Sequence, residues 1–467
     1  MYSAFFGIEI ARRALFANQR AQENVSHNIA NANTPGYSRQ RVVLESTYAS
    51  IFSTTPGMGQ TGTGVRIADV TRIRDAFTDM QYRNEYAALG QWEVQKDILA
   101  QVEAIFGEPS DIGISSVLSQ FWQSLEALAE NAGSAETRET VKERAISLVD
   151  TINHTALSLS QIMDDIKYRL GVKVDEVNTL ARQIAELNGQ IQTMEITGIT
   201  ASDLRDKRDL LLDELSKLVQ ISTSEDEQGL FTVNIGGAIL IKGTDYDGFT
   251  FDKAQSPPQV KWQTYNTPVN LKKGELQGLL DLYAKVEGYR ENLKTFAHSL
   301  AERFNEIHRE GWDLDGKYTG LNFFRDPKEL NDDILIEVNS EIINNTNLIA
   351  AAGNPYGGKG DNRNALRLAE IKSISMDGAS GPTFDDYYGS LISRLGIDSQ
   401  EAQRMTDSQQ YMVSQLDYRR QEISGVSLDE EMTKMIMYQH AYTAAARVIT
   451  TLDEMMGILL SMGVTGR

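Results

Sequence analysis

Several groups of residues have types and spacings that chemistry could use. Gly57, Gly59 and Gly62 form G-x-G-x-x-G, a pattern that lets a pyrophosphate approach a helix N-terminus. That use needs a helix directly after the glycines. Val65 to Ile73 alternates as a strand instead, so a glycine-rich hairpin loop accounts for the pattern. Asp313-Leu314-Asp315-Gly316 and Asp245-Tyr246-Asp247-Gly248 put two carboxylates at a spacing calcium favours, but neither adds a third acid or a distal bidentate glutamate. Asp-Gly turns explain both. His27, His154, His298, His308 and His440 are scattered, with no H-E-x-x-H pair and no G-x-S-x-G elbow. Asp429, Glu430 and Glu431 resemble a paired-carboxylate site, yet they open a helix, where acids suit the dipole. The chain has no cysteine, which removes disulfides, thiolate metal sites and thiol nucleophiles. The sequence offers no catalytic, cofactor-binding or metal-ligating residues, and no cofactor is expected.

The elements carrying these groups are more informative. From Ala4 the chain steps by fours and threes through Ile8, Ala11, Leu15, Asn18, Gln22, Val25 and Ile29, a heptad seam with a polar middle. Asn31, Asn33, Thr34, Pro35 and Gly36 then favour turns, so the helix must stop near Ala32. At the far end, beyond Gly425, a second long helix begins at Leu428. Its seam runs through Met432, Met435, Gln439, Tyr442, Ala446, Ile449, Leu452, Met456 and Leu459. Two terminal seams suggest that the ends pair with each other or with neighbouring copies. Asn18, Gln22, Gln439 and the small residues make both seams weak, so the ends should be loose in the monomer and ordered on assembly.

Between the seams, Val42 to Ile67 reads as short strands and turns. Phe77 to Phe106, Ile114 to Ala132, Ser134 to Met194, Ser202 to Leu218, Gly274 to Arg309, Ala365 to Ile371 and Asp385 to Ile423 read as helices. Phe231 to Ile235 and Ala238 to Ile241 bracket a Gly236-Gly237 hairpin, and Ile334 to Val338 is a further strand candidate. The fold class is mainly α with a small β insertion: terminal coiled-coil helices, a long-helix bundle body and a small antiparallel β domain. The expected domains are a terminal coiled-coil domain (1–45 and 425–467), a mainly helical body (46–201 and 272–424) and an outer β-rich insertion (202–271).

The 467 residues are 41% hydrophobic, with a formal net charge of −20. That excess of acid argues against nucleic acid. No run of about 18 apolar residues suggests membrane insertion, and Met1 to Gly7 lacks the parts of a cleaved secretory signal.

NIANANTPGYSRQ at 28–40, behind such a helix, and GVSLDEEMTKMIMYQHAYTAAARVITTLDEMMGIL from Gly425 resemble the bacterial flagellar axial proteins of rod, hook and hook-filament junction. The interior stretches SDLRDKRDLLLDELS (202–216), GELQGLLDLY (274–283), FNEIHREGWDLDGKYTGLNFF (304–324) and DNRNALRLAEI (361–371) resemble the junction branch. The resemblance implies a structural adaptor between hook and filament, not an enzyme, with terminal helices in the axial core. It implies that Asn28, Asn31, Asn33, Thr34, Gly36, Tyr37 and Arg39 pack between subunits, together with the seam residues. Implied partners are the hook protein, the second junction protein and copies of the chain in a ring. A cytoplasmic export chaperone is also implied on the amphipathic stretch from Glu431 to Met462. The implied route is flagellar type III export without a cleaved signal, to an extracellular site. The β insertion is short beside relatives carrying a further outer domain. The rival readings are another axial protein of hook or rod, and a secreted enzyme anchored to the flagellum.

Overall fold

The structure, a computed structural model, describes residues 4–48, 62–198, 200–331, 334–376 and 381–464. Helix α1 (Ala4–Ala30) leads into strands β1 (Gln40–Ser46) and β2 (Val65–Arg72). Helices α2 (Ala76–Phe106), α3 (Ile114–Glu130), α4 (Ala135–Glu195) and α5 (Ser202–Leu218) follow. Next come β3 (Ser222–Glu225), β4 (Phe231–Ile235), β5 (Ala238–Lys242), β6 (Asp245–Tyr246), β7 (Phe249–Phe251) and β8 (Val260–Trp262). Helices α6 (Glu275–Glu310), α7 (Ser340–Asn344), α8 (Arg363–Glu370), α9 (Phe384–Ser424) and α10 (Leu428–Val464) complete the chain. The fold is mainly α with small antiparallel sheets, as the periodicity requires.

The chain divides into two compact units. The terminal unit holds Met1–Ala87, Glu176–Gly248 and Gln409–Arg467, and the body unit holds Ala88–Asp175 and Phe249–Ser408. This cut differs from the three-part division read from the sequence, because β3 to β6 fall in the terminal unit and β7 and β8 in the body unit. In the terminal unit β1 pairs with β2, and β3-β4-β5-β6 form an antiparallel meander. Helix α4 carries one glycine where the turn between β5 and β6 approaches it and another where the end of β7 does. A Cβ at Gly189 would lie 3.3 Å from Thr244 Cγ2, and one at Gly171 would lie 3.1 Å from Lys253 Cε.

The body unit is centred on buried aromatic rings. Phe121, Trp122, Phe296, Phe304, Phe323, Phe324 and Phe384 are fully buried, with Phe304 and Phe323 centroids 4.7 Å apart. Each such ring removes roughly 150–250 Å² from water, so the cluster contributes heavily to the unit's stability. Asn305, Arg138 and His308 inside it are paired. Asn305 Oδ1 accepts from the amides of Phe323 and Phe324, both at 2.9 Å. Arg138 donates to the Ile349 carbonyl at 2.7 Å, and burial lowers its pKa to about 10. His308 is also buried. Its Nδ1 meets the Leu321 carbonyl at 2.8 Å, and its Nε2 accepts from Ala350 N–H at 2.9 Å. That arrangement is satisfied by the neutral ring with hydrogen on Nδ1, and burial holds its pKa down to about 4.

One expected strand is absent. Ile334 to Val338 forms no regular strand, only a bridge from Val338 to Phe324. A side chain takes the place of a neighbouring strand: Asn153 Oδ1 accepts from Leu335 N–H at 2.9 Å, and Asn153 Nδ2 donates to the Ile336 carbonyl at 2.8 Å. Satisfying the backbone this way needs no sheet.

Candidate assembly interface

Helices α1 and α10 pack against each other within the one chain. Asn28 Nδ2 donates to Glu431 Oε2 at 2.9 Å, and a Cβ at Gly7 would stand 3.0 Å from Leu452 Cδ1. Between these two points each helix advances 21 residues (28 to 7 and 431 to 452), so the pair is antiparallel and in step over three heptads.

The buried stripe of α1 is turned slightly from the expected seam. Val25 and Asn28 are buried, whereas Ile8, Leu15, Asn18, Gln22 and Ile29 are only half-buried. Ala11, Ala17 and Ala21 complete the deepest line. Helix α1 touches β1 and β2 as well as α10, so its stripe must face between two neighbours. On α10, Met435, Ala446, Ile449, Leu452 and Met456 are half-buried, while Leu428, Met432, Gln439, Tyr442 and Leu459 remain exposed.

The turn after α1 locks the two ends together. Asn31 Nδ2 donates to the His27 carbonyl at 3.0 Å, and Thr34 Oγ1 donates to Asn31 Oδ1 at 3.1 Å; Asn33 is exposed. Gly36 has φ +76°, and a Cβ there would lie 3.4 Å from the Leu210 side chain of α5. The left-handed backbone requires glycine, whereas the approach to Leu210 is an ordinary van der Waals contact. The Asn28 amide uses all four of its hydrogen-bonding positions. Its Nδ2 also donates to the Gln40 carbonyl at 2.9 Å; its Oδ1 accepts from Tyr37 OH at 2.7 Å and from Gln40 N–H at 3.0 Å. Burial, with Asp203, Asp206 and Glu431 nearby, raises the Tyr37 pKa and keeps the phenol a donor. Arg39 N–H donates to the Ser424 carbonyl at 2.8 Å, and its guanidinium pairs with Glu430 at 2.6 Å. Glu431 is buried and also accepts from Lys434 at 2.7 Å. These acids at the start of α10 therefore bind chain ends rather than forming an acid/base pair.

A buried charge network anchors this assembly, and the sequence reading missed it. Arg72 pairs with Asp206 at 2.7 Å and Asp209 at 2.8 Å. Arg74 meets Asp79 at 2.6 Å, and Arg83 meets Asp213 at 2.7 Å and Asp209 at 3.2 Å. Arg420 closes the set on Asp213 at 2.8 Å and Asp79 at 3.2 Å, over the Tyr82 ring at 4.3 Å. Burial alone would raise the Asp209 carboxyl, but Arg74, Arg83 and Arg72 outweigh it and hold its pKa down to about 2. At Asp206 burial prevails, and its pKa rises despite Ser38 N–H and Arg72. The signal was available: Asp206, Asp209 and Asp213 are spaced for one helical face, and Arg72 and Arg74 alternate.

The other sequence motifs contribute no chemistry that the described residues reveal. The glycine motif at 57–62 lies outside the described residues except for Gly62. Asp313 Oδ1 accepts from the amides of Lys317 and Tyr318 at 2.6 and 3.2 Å, as an Asp-Gly turn requires. Asp245 and Tyr246 form β6. Among the described residues, no group of three His, Cys, Asp or Glu side chains is placed to hold a metal ion. No helix there is long and apolar enough to cross a membrane.

The helical stretch 99–324 matches the family described as flagellar hook-associated protein FlgK helical domain. A flagellar hook-associated protein 1 from Bacillus subtilis is 35% identical over the whole of both chains. The present chain belongs to the flagellar hook-associated protein 1 family. Like that family it is a structural protein of the flagellar hook-filament junction. The hook-associated protein 1 of Salmonella typhimurium is 26% identical over 97% of this chain and 99% of its own. The two paired ends match separately: 8–37 matches the flagella basal body rod protein family, and 419–462 matches the flagellar basal body rod FlgEFG protein C-terminal family. These stretches contain most of α1 with its turn, and most of α10. In fold, the chain is similar to the flagellar hook junction protein FlgK of Burkholderia pseudomallei, with TM-score 0.64 and 14% identity. That match covers 74% of this chain and all of the other.

Proposed function

We propose that the chain joins hook to filament without catalysis, through α10 and the turn from Asn31 to Arg39. The observation carrying this reading is that α10, while paired to α1, leaves Leu428, Met432, Ile436, Ile458 and Leu459 exposed by 51%, 54%, 52%, 60% and 63%. A helix with a second apolar side gains stability only by burying it. The occupants proposed are copies of the chain forming a ring, with the hook protein on one side and the second junction protein on the other. The terminal residues 1–45 and 425–467 act as the axial domain, 46–201 and 272–424 as the body, and 202–271 as an outer insertion. In this reading the interface comprises the seam and turn residues named from the sequence, and their full order comes with assembly. Slower hydrogen exchange of α10 in the assembled ring than in the free chain would support that ordering, and equal rates would exclude it.

Before assembly, the stretch from Glu431 to Met462 docks in the groove of an export chaperone as an amphipathic helix. Export through the flagellar type III apparatus, without a cleaved signal, takes the chain to the cell exterior. The deciding experiment is electron microscopy of flagella from cells lacking the gene, complemented with the full chain or with a chain lacking 4–40. Hooks without filaments, rescued by the full chain alone, are the expected result. Normal filaments in the uncomplemented cells would reject the junction role.

A further inference from the structure

The chain has no cysteine, so any redox chemistry of its sulfur falls on methionine. Six of its 14 methionines, at 432, 435, 437, 455, 456 and 462, lie within the 37 residues of α10. Met432, Met437 and Met455 are exposed by 54%, 54% and 55%, whereas Met163 and Met376 in the body unit are each 9% exposed. Two of the exposed three sit among apolar neighbours. Met432 lies one turn from Leu428 and Ile436, and Met455 lies one turn from Ile458 and Leu459, all of them exposed. A thioether suits an adaptable apolar surface, and its sulfoxide does not, because oxidation makes the group polar and chiral.

We propose that Met432, Met437 and Met455 form an oxidation-sensitive set on α10, and that their conversion to sulfoxides by a hydroperoxide bars a free subunit from docking. A sulfur lone pair attacks one peroxide oxygen. The S–O bond forms as the O–O bond breaks, and the departing hydroxide takes up the proton to leave water. Sulfur loses two electrons, and hydrogen peroxide is reduced by two. The inference rests on the docking role of α10: a subunit free of its export chaperone exposes these sulfurs, and docking covers them. The effect is selection against damaged subunits at the moment of incorporation.

The test treats the purified full-length chain with hydrogen peroxide, maps sulfoxides by mass spectrometry and measures binding to hooks isolated from cells lacking this gene. Met432, Met437 and Met455 should oxidise well before Met163 and Met376, and binding should fall by about tenfold or more. Binding by the triple variant M432L/M437L/M455L, measured against its own untreated level, should survive treatment. Met80→Leu, which removes an exposed methionine of α2 (52%), should give no protection. Unchanged binding with the three sulfoxides in place would overturn the proposal, as would equal loss in the triple variant or equal protection by Met80→Leu. An untreated chain that does not bind hooks would remove the docking role itself, and the proposal with it.

Discussion

At the scale of single residues, Asn28 is the most constrained position of the candidate interface. Asn28→Ala would strand both backbone groups of Gln40 and one oxygen of buried Glu431, while Tyr37 OH keeps His27 Nδ1 at 3.0 Å. Unsatisfied buried groups cost about 1–3 kcal/mol each, partly relieved by water. A loss of roughly 2–4 kcal/mol is therefore expected in chemical denaturation, and a loss below about 0.5 kcal/mol would contradict the hub geometry. His308 makes a second prediction. Its folded pKa of about 4 lies below its ordinary value of 6.5, so below pH 6.5 the unfolded chain takes up a proton that the folded chain does not. Stability falls from that point and levels off once the pH passes about 4. The gap corresponds to about 3 kcal/mol, and His308→Gln should flatten this part of the pH-stability curve. The roles of Asn31, Gly36 and Tyr37 were partly legible in the sequence because turn chemistry is local. The hub was not legible, since its partner Glu431 lies 403 positions away.

At the scale of elements, periodicity located the long helices, while packing decided which face each buries. The stripe on α1 keeps Ala11 from the expected seam and shifts toward Ala17 and Ala21, alanines being weak hydrophobic markers that permit close approach of two neighbours. The strand expected at Ile334 failed for the opposite reason, since Asn153 met its backbone groups from a distant helix. The aspartates of α5 were visible in the sequence, but their arginines come from β2, the segment after it, α2 and α9, and no local pattern joins those. Arg83→Met would leave Asp209 and Asp213 short of a cation and should destabilise the terminal unit by about 3–5 kcal/mol. A smaller loss in the double variant R83M/D213L than in R83M alone would show coupling through the network, and simple additivity of the two single changes would exclude it.

At the scale of the whole molecule, the mainly helical class was legible from the spacing of apolar residues, but the boundary of the compact units was not. That boundary crosses α2, α4 and α9 in mid-helix as well as the turn at Gly248, and helical periodicity runs unbroken through three of these four points. The body unit supplies a further test. Tyr356 is 93% exposed in the loop between α7 and α8, and residues on both sides of it belong to the body unit. Chymotrypsin should nick the chain there, and the fragments should co-elute in native gel filtration, parting only in denaturant. Separation without denaturant would contradict the described core. The pairing of Asn28 with Glu431 finally sets an order of events. Closing a free loop of 403 residues costs about 5 kcal/mol in chain entropy, more than a weak polar seam can repay. The middle must fold first and bring the ends within reach, so the first and last helices form a clasp that closes late and is the first part to open.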